Sequence, residues 1–539
     1  MSNTQTDVVI VGAGHNGLVA AVMLAARGLS VTVLEEHGMV GGAARTEYPF
    51  PKAPGLGTST GAYLLGVMPP EIMQATGIAL PLKRRDPHYF LPTTDGRYLM
   101  LGSDRDATRD QLTRFFSADD VRANDALLDE IGAIRDDIAP TWMQEPLSIE
   151  DTAAQFVRPA LRDAFVRLCR GSVGEYLDRF DFKSDLLKAM YAVTDGFSGL
   201  FGTWDTPGTG MNFLVHNMCR LPGSDGTWMI VEGGMGTVTR QLADRARANG
   251  AVIRTGAKVA SIIVERGVAV GVQLGNDEVI RANTVLVNAD PFRMRDLVGR
   301  SEFPDPYNER LDAMARPGST FKVNLALKGL PKFTCLPESV QRNGAAFGPT
   351  IHLLPDEADV MRSLREGFED VQAGRLPQFP TIEWYIHTTI DPTLRDEHGH
   401  HNSALFVQWV PHTLAEGSWD TAQHTYTSHL LSLCDRFAPG TSDLVVDTFP
   451  LHPAAIEKHF GITRGHIHHV DNAFGFSDRV PYRQPVDGLS SSFWIKWCGI
   501  QNNLIQNTVF FTVNFSVACN FHLIFDLVIT YKTFGIAFH

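Results

Sequence analysis

The sequence predicts an α/β protein in two parts. One is a doubly wound nucleotide-binding domain assembled from separated stretches of chain, and the other is an α+β substrate domain with an antiparallel sheet and a helical cap. Three observations predict this: a strand, glycine turn and helix at the amino terminus, a return of the same alternation after about residue 225, and a β-rich run over residues 318–414. At 539 residues the chain is also too long for one core, because single cores stop growing at roughly 250–300 residues.

The first element is carried by "DVVIVGAGHNGLVAAVMLAARGLSVTVLEE". Val8 to Val11 form a β-branched run suited to a strand buried on both faces, and glycines followed by an Ala-rich helical stretch come directly after it. Gly12, Gly14 and Gly17 have the G-x-G-x-x-G spacing. Gly12 permits the turn, Gly14 lets backbone approach a pyrophosphate, and Gly17 lets the helix pack close on the strand. The helix amino terminus then offers free N–H groups and a positive dipole end to phosphates. Gly28 ends the helix, "LSVTVLEE" supplies the second strand, and Glu35 stands where an acid accepts hydrogen bonds from ribose hydroxyls. Glu36, one residue on, reads as solvated surface. A second glycine motif, "GMVGGAART", follows: Gly41 and Gly42 again allow close backbone approach, and Arg45 can aim its donors at a phosphate or a flavin ring edge.

Residues 119–138, 149–170 and 182–193 space apolar residues three and four apart among charges, and read as amphipathic cap helices. Gly55 to Gly61 form a Gly/Ser/Thr connection that can flank a ligand. Nucleotide-domain alternation resumes at "EGGMGTVTRQLADRARANGAVIRTGAKVASIIVE", with Thr237 as the expected N-cap, Gly250 as the helix stop, a turn at Gly256 and a strand from Val259. "VLVNADP" reads as another buried strand. "TFKVNLALKGL", "TIHLLP", "TIEWYIHTTI" and "SALFVQWVPH" then suit a sheet with one face packed and one lining a pocket; Phe321, Trp384 and Trp409 are candidate apolar walls, though aromatics at strand spacing are more often plain core.

Composition excludes several classes. A formal charge of -13 without a dense Lys/Arg run gives no electrostatic footprint for nucleic acid. Six cysteines without a C-x-x-C argue against a redox dithiol, a disulfide framework or a zinc knuckle, and fit a reducing compartment. "MSNTQT" before the first strand is too short and polar for a targeting peptide, which leads to an expectation of a cytoplasmic protein. The histidine groups "DEHGHH" (His398, His400, His401) and "RGHIHHVDN" (His466, His468, His469) lack metal-ligand spacing, so no metal is expected. The first is read as a solvated loop and the second as part of a strand. No G-x-S-x-G, H-E-x-x-H or paired-carboxylate motif appears.

"VVIVGAGHNGLVAA", "LEEHGMVGGAART" and "EGGMGTVTRQLA" together resemble the FAD-dependent oxidoreductases of the phytoene dehydrogenase and amine oxidase superfamily, from about Asp7 to about Gly488. The resemblance implies FAD as cofactor and hydride transfer to or from an apolar, polyene- or isoprenoid-like small molecule. Oxygen, a quinone or a nicotinamide would take up the electrons. It also implies that the backbone at Val259 pairs with adenine, that His468 lies where relatives bring a strand to the flavin, and that eukaryotic relatives are mitochondrial. An amine oxidase or monooxygenase is the alternative enzyme class, and a catalytically impaired variant acting through protein partners is the other. The domain expectation is residues 1–65, 225–300 and 475–488 for FAD, with 66–224 and 301–474 for substrate and cap.

After "PYRQPVDGL" the pattern departs. Relatives continue with a His-Pro-Gly-Gly-Gly segment whose backbone N–H groups face the cofactor. Residues 489–539 instead carry three charged residues, no Arg and no Pro. The abrupt change of composition reads as a different reading frame or an unspliced segment. "TVFFTVNFSVACNFHLIF", which is marginal in length and polarity for a membrane span, is the rival reading and would give a membrane contact. With the glycines gone, FAD is expected to be held poorly or not at all.

Overall fold

The computed structural model describes residues 4–144, 147–342, 344–470, 489–491, 503–506 and 509–512. Two seven-stranded sheets organise it. In the first, the strands run in the order Val259–Glu265, Val268–Leu274, Val279–Val287, Thr4–Val11, Val31–Leu34 and Val252–Arg254. Thr4–Val11 lies parallel between Val279–Val287 and Val31–Leu34, with Val9 opposite Val285 on one side and Thr32 on the other. The pleat sends alternate residues to opposite layers. Val8, Ile10, Val31 and Val33 pack under the His15–Ala25 and Gly236–Ala248 helices, while Val9, Val11, Val285 and Val287 pack with the antiparallel ribbon beyond. Leu489–Ser491 adds a further parallel strand against Val285–Val287. The first sheet therefore takes in three residues of the stretch that departs from the family pattern. Residues 471–488, and with them the 475–488 segment, lie outside the described residues. So does the membrane-span reading, apart from the Val509–Thr512 strand, which pairs with Asn503–Gln506.

The second sheet runs Val445–Leu451, Thr320–Leu327, His401–Gln408, Thr381–Tyr385, Thr350–Leu353, Tyr89–Pro92 and Tyr98–Leu101. It is antiparallel except where Thr350–Leu353 meets Tyr89–Pro92. The last two strands and Val445–Leu451 were not foreseen. Residues 89–101 do carry a hairpin signal, an Asp-Gly turn between two apolar runs, whereas 445–451 lacks alternation.

Three helix readings are corrected. Residues 149–170 form Ile149–Gln155 and Arg162–Arg170, separated by a 3-10 turn beginning at Pro159, whose missing N–H interrupts the ladder. The 182–193 stretch is helical only from Asp185 to Tyr191 and then widens into a π turn over Ala192–Gly196. The helix expected to be capped by Thr237 starts at Gly236 instead. Its amino-terminal N–H groups are satisfied across the chain, with Gly236 N donating to Thr46 Oγ1 at 3.0 Å and Met235 N to Ser59 Oγ at 3.0 Å. Among the described residues no helix is long and apolar enough to cross a membrane.

Candidate functional site

The two glycine motifs interlock. Gly12 has φ +98°, and a Cβ on it would lie 2.8 Å from the Asn288 carbonyl oxygen. One on Gly14 would lie 2.8 Å from Asn288 Nδ2, and one on Gly17 2.5 Å from the Gly12 carbonyl. Asn288, directly after the Val279–Val287 strand, is thus what the first motif closes on, and its backbone N–H donates to Val11 O at 2.7 Å. The second motif lies alongside the first: Gly41 N donates to Ala13 O at 2.9 Å, Gly14 and Gly41 form a parallel bridge, and a Cβ on Gly42 would approach Gly14 Cα to 3.3 Å.

Glu35 is buried at the end of the second strand, and each of its oxygens takes one backbone N–H, Ala13 at 2.8 Å and His37 at 3.0 Å. A carboxylate accepts about four hydrogen bonds, which leaves capacity for a ribose. Glu35 O also accepts from Ala257 N at 2.8 Å, bringing the turn before Val259 to the same place; Val259 itself is buried and paired with Leu274. Glu36 is exposed, as expected, with Arg293 and Lys258 at 3.9 and 4.0 Å.

Arg45 is buried and engaged. It meets Glu47 at 3.1 Å and the His459 ring at 2.8 Å, and lies over Phe460. Burial acts to raise the Glu47 carboxyl. Hydrogen bonds from His459 and Thr60 and the charge of Arg45 outweigh it and hold the group at about 2. Arg45, Glu47 and His459, with His37, Met39 and Lys458, line a cleft of about 500 Å³ beside the second glycine motif. His459 and Glu47 escaped the sequence reading, since neither sits in a motif.

The second sheet has two unlike faces. Of the two readings open for the aromatics, plain core holds: Phe321 and Trp384 are buried with Val323, Leu325, Ile382 and Leu405 in an apolar core, and Trp409 packs on Phe197 among the cap helices. All three are fully buried. Their strand neighbours form the other face: Lys322, Asn324, Asn402, Gln408, Glu383, Tyr385 and His352, all buried. The alternation in "TFKVNLAL" and "TIEWY" displays this pattern, and a charged residue inside a β-rich run was the signal to follow.

Part of that face has structural partners. Lys322 Nζ donates to Ser59 O at 2.5 Å and Gly61 O at 2.7 Å, Asn324 to Thr60 O at 3.4 Å, and Asn402 to Gly57 O at 2.6 Å, fastening the 57–61 connection. Burial pushes the Lys322 ammonium well below its ordinary range, and its Nζ lies 4.1 Å from the Tyr63 ring centroid. Gln408 holds the cap through Gly199 N and Phe197 O.

His468 is buried, with Nε2 2.9 Å from Ser198 O and its ring 6.5 Å from that of His216. It sits in a turn, not the expected strand, because Arg464, Gly465 and His469 have φ of 57°, 65° and 67° and cannot continue an extended chain. The other histidine group is not simply solvated. His401 begins a strand and is buried, and His400 Nδ1 lies 2.6 Å from Asp396 Oδ2, while His398 is exposed. The four described cysteines are free and buried, so nothing here pairs as a dithiol.

Residues 17–347 match the profile of flavin-containing amine oxidoreductases. A protein of Rattus norvegicus named pyridine nucleotide-disulfide oxidoreductase domain-containing protein 2 is 32% identical over 528 residues, covering 90% of this chain and 88% of that one. A 4,4'-diapophytoene desaturase (4,4'-diapolycopene-forming) of Methylomonas sp is 25% identical over 354 residues, covering 62% and 63%. A solved triple mutant of putrescine oxidase has the same fold, with a TM-score of 0.58 at 16% identity over 90% of this chain and 93% of its own.

Proposed function

The chain belongs to the family of flavin-containing amine oxidoreductases, and from that premise we propose that the interlocked glycine motifs hold FAD and that the substrate is an apolar-bodied, polyene- or isoprenoid-like molecule. It is a FAD-dependent oxidoreductase. The observation that carries the site assignment is the cradle of Gly12, Gly14 and Gly17, where side chains would collide, set beside a buried Glu35 with spare acceptor capacity. Bound FAD supplies the two-electron chemistry of hydride transfer.

The chain's own residues bind, orient and exclude water. Gly14 and Gly42 bring two backbone segments together for the pyrophosphate, Glu35 receives ribose hydroxyls, and the backbone by Val259 faces the adenine. Arg45, already buried against Glu47 and His459, presents a fixed positive charge to the phosphate or ring edge. His468, among buried groups of the cap boundary, is the candidate to hydrogen-bond substrate or flavin. The substrate reading rests on the desaturase among the relatives and on the apolar cap helices packed over the second sheet. Oxygen, a quinone or a nicotinamide receives the electrons.

Titrating FAD into the purified chain while recording flavin fluorescence tests the assignment. Saturable binding that Gly14→Val weakens at least tenfold is expected, together with less than one FAD per chain after desalting, since the tail lacks the family's glycine-rich segment. Binding indifferent to Gly14→Val would overturn the site. One FAD per chain after desalting would overturn the expected weak retention.

A further inference from the structure

The half of the polar face that fastens nothing surrounds Arg85. This guanidinium is 6% exposed, donates Nε to Trp228 O at 3.0 Å and a second N–H to Thr350 Oγ1, and among the described residues has no carboxylate in ion-pair contact. Three side-chain atoms here are buried and, among the described residues, unpartnered: His352 Nε2 and His387 Nε2, on rings that feel the charge of Arg85, and Tyr89 OH, on the residue paired in the sheet with Thr350. Tyr89 stacks on His352 with ring centroids 4.1 Å apart, and Tyr385 stacks on His387 at 5.5 Å. Glu383, opposite His352 in the sheet, accepts from the Tyr385 hydroxyl.

Buried polar groups are hydrogen-bonded in folded proteins almost without exception, and a buried charge without a counter-charge costs more than any of them. Three orphaned polar atoms and a cation that only Glu383 balances, from beyond ion-pair distance, therefore mark a place where a polar ligand would be stabilised. Burial, with the charge of Arg85 added, holds His352 down to about 3, so its ring is neutral and the fixed positive charge here is that of Arg85. Burial likewise raises the Glu383 carboxyl to about 7, so this neighbour is largely uncharged in mildly acidic solution.

We propose that Arg85, Tyr89 and His352 form a binding site for a carboxylate on the substrate, so that the enzyme acts on an oxygenated polyene- or isoprenoid-like acid and not on a bare hydrocarbon. The inference rests on the substrate class proposed above and narrows it. The polar end of the molecule pairs with Arg85 while its apolar body lies against the cap.

Three polyenes of one skeleton make the test: retinoic acid, retinal and the hydrocarbon anhydroretinol, each titrated into the full chain while tryptophan fluorescence quenching is followed. The acid is expected to bind at least tenfold more tightly than the hydrocarbon. Arg85→Met should erase that preference. Tyr89→Phe removes an atom with no partner in the free protein, so it should leave Tm unchanged or raised while weakening the acid roughly three- to tenfold, the value of one hydrogen bond. Should Arg85→Met fail to fold, Tyr89→Phe decides. Equal binding of acid and hydrocarbon, an aldehyde bound more tightly than the acid, or a preference unmoved by Tyr89→Phe would each overturn the proposal. Flavin absorbance of the same samples separates the two readings. Bound flavin with no acid preference sinks this inference alone, whereas an acid preference in a chain that never binds flavin sinks the FAD assignment and leaves this one standing.

Discussion

The two sheets bury their side chains to opposite ends. The first hides apolar residues on both faces, and its site is made by side chains that are missing: glycines, backbone N–H groups and one buried acid. The second spends only one face on packing and covers the other with Lys322, Asn324, His352 and Glu383, so its site is made by side chains that are present. A backbone site tolerates no added atom, while a side-chain site tolerates substitution but depends on charge and on pH.

Four measurements break or sharpen that contrast. The largest effect is expected on the apolar face, where Trp384→Ala should lower unfolding free energy by about 3–5 kcal/mol in denaturant titration, because the ring is fully buried among Phe333 and its neighbours. Next is pH. Glu383 is raised from 4.5 to about 7, so the folded protein holds that proton more tightly than the unfolded chain does. Its stabilisation is complete below pH 4.5 and lost as pH rises through 7. Glu383→Gln should abolish this dependence, gaining on the wild type by up to about 3 kcal/mol between those limits. A parallel pair of stability-versus-pH curves would refute it.

In the first sheet, Gly12→Ala should cost about 2 kcal/mol, combining a φ of +98° with the 2.8 Å approach to Asn288. A neutral result there would mean that the loop and Asn288 yield without strain. The smallest effect is expected at Thr46→Ala, which removes the acceptor for Gly236 N at the helix start; about 1 kcal/mol is anticipated from thermal unfolding.

The glycine site was legible because its signal is local. Strand, turn and helix follow within about 20 residues, and each glycine's role is fixed by spacing. The second site was half legible. The strands could be read, and so could their division into a packed face and a functional one, but large aromatics drew attention to Phe321 and Trp384, which alternation places with Val323 and Ile382 in the core. Arg85 and His459 could not be found that way. Arg85 reaches the sheet from a connection and meets Thr350 across 265 positions, and His459 meets Arg45 across 414, separations over which no sequence period carries information. The strand expected at His466–His468 failed for a local reason, three consecutive or nearby residues with positive φ.

The fastening of residues 57–61 bears on traffic through the molecule. Four hydrogen bonds from Lys322, Asn324 and Asn402 tie that connection to the second sheet, and Thr60 passes the tie on to Glu47. Prising the two sheets apart there would break all four. At about 1 kcal/mol each, the opened form would be populated on the order of once in a thousand molecules. A large substrate that had to wait for such an opening would arrive slowly.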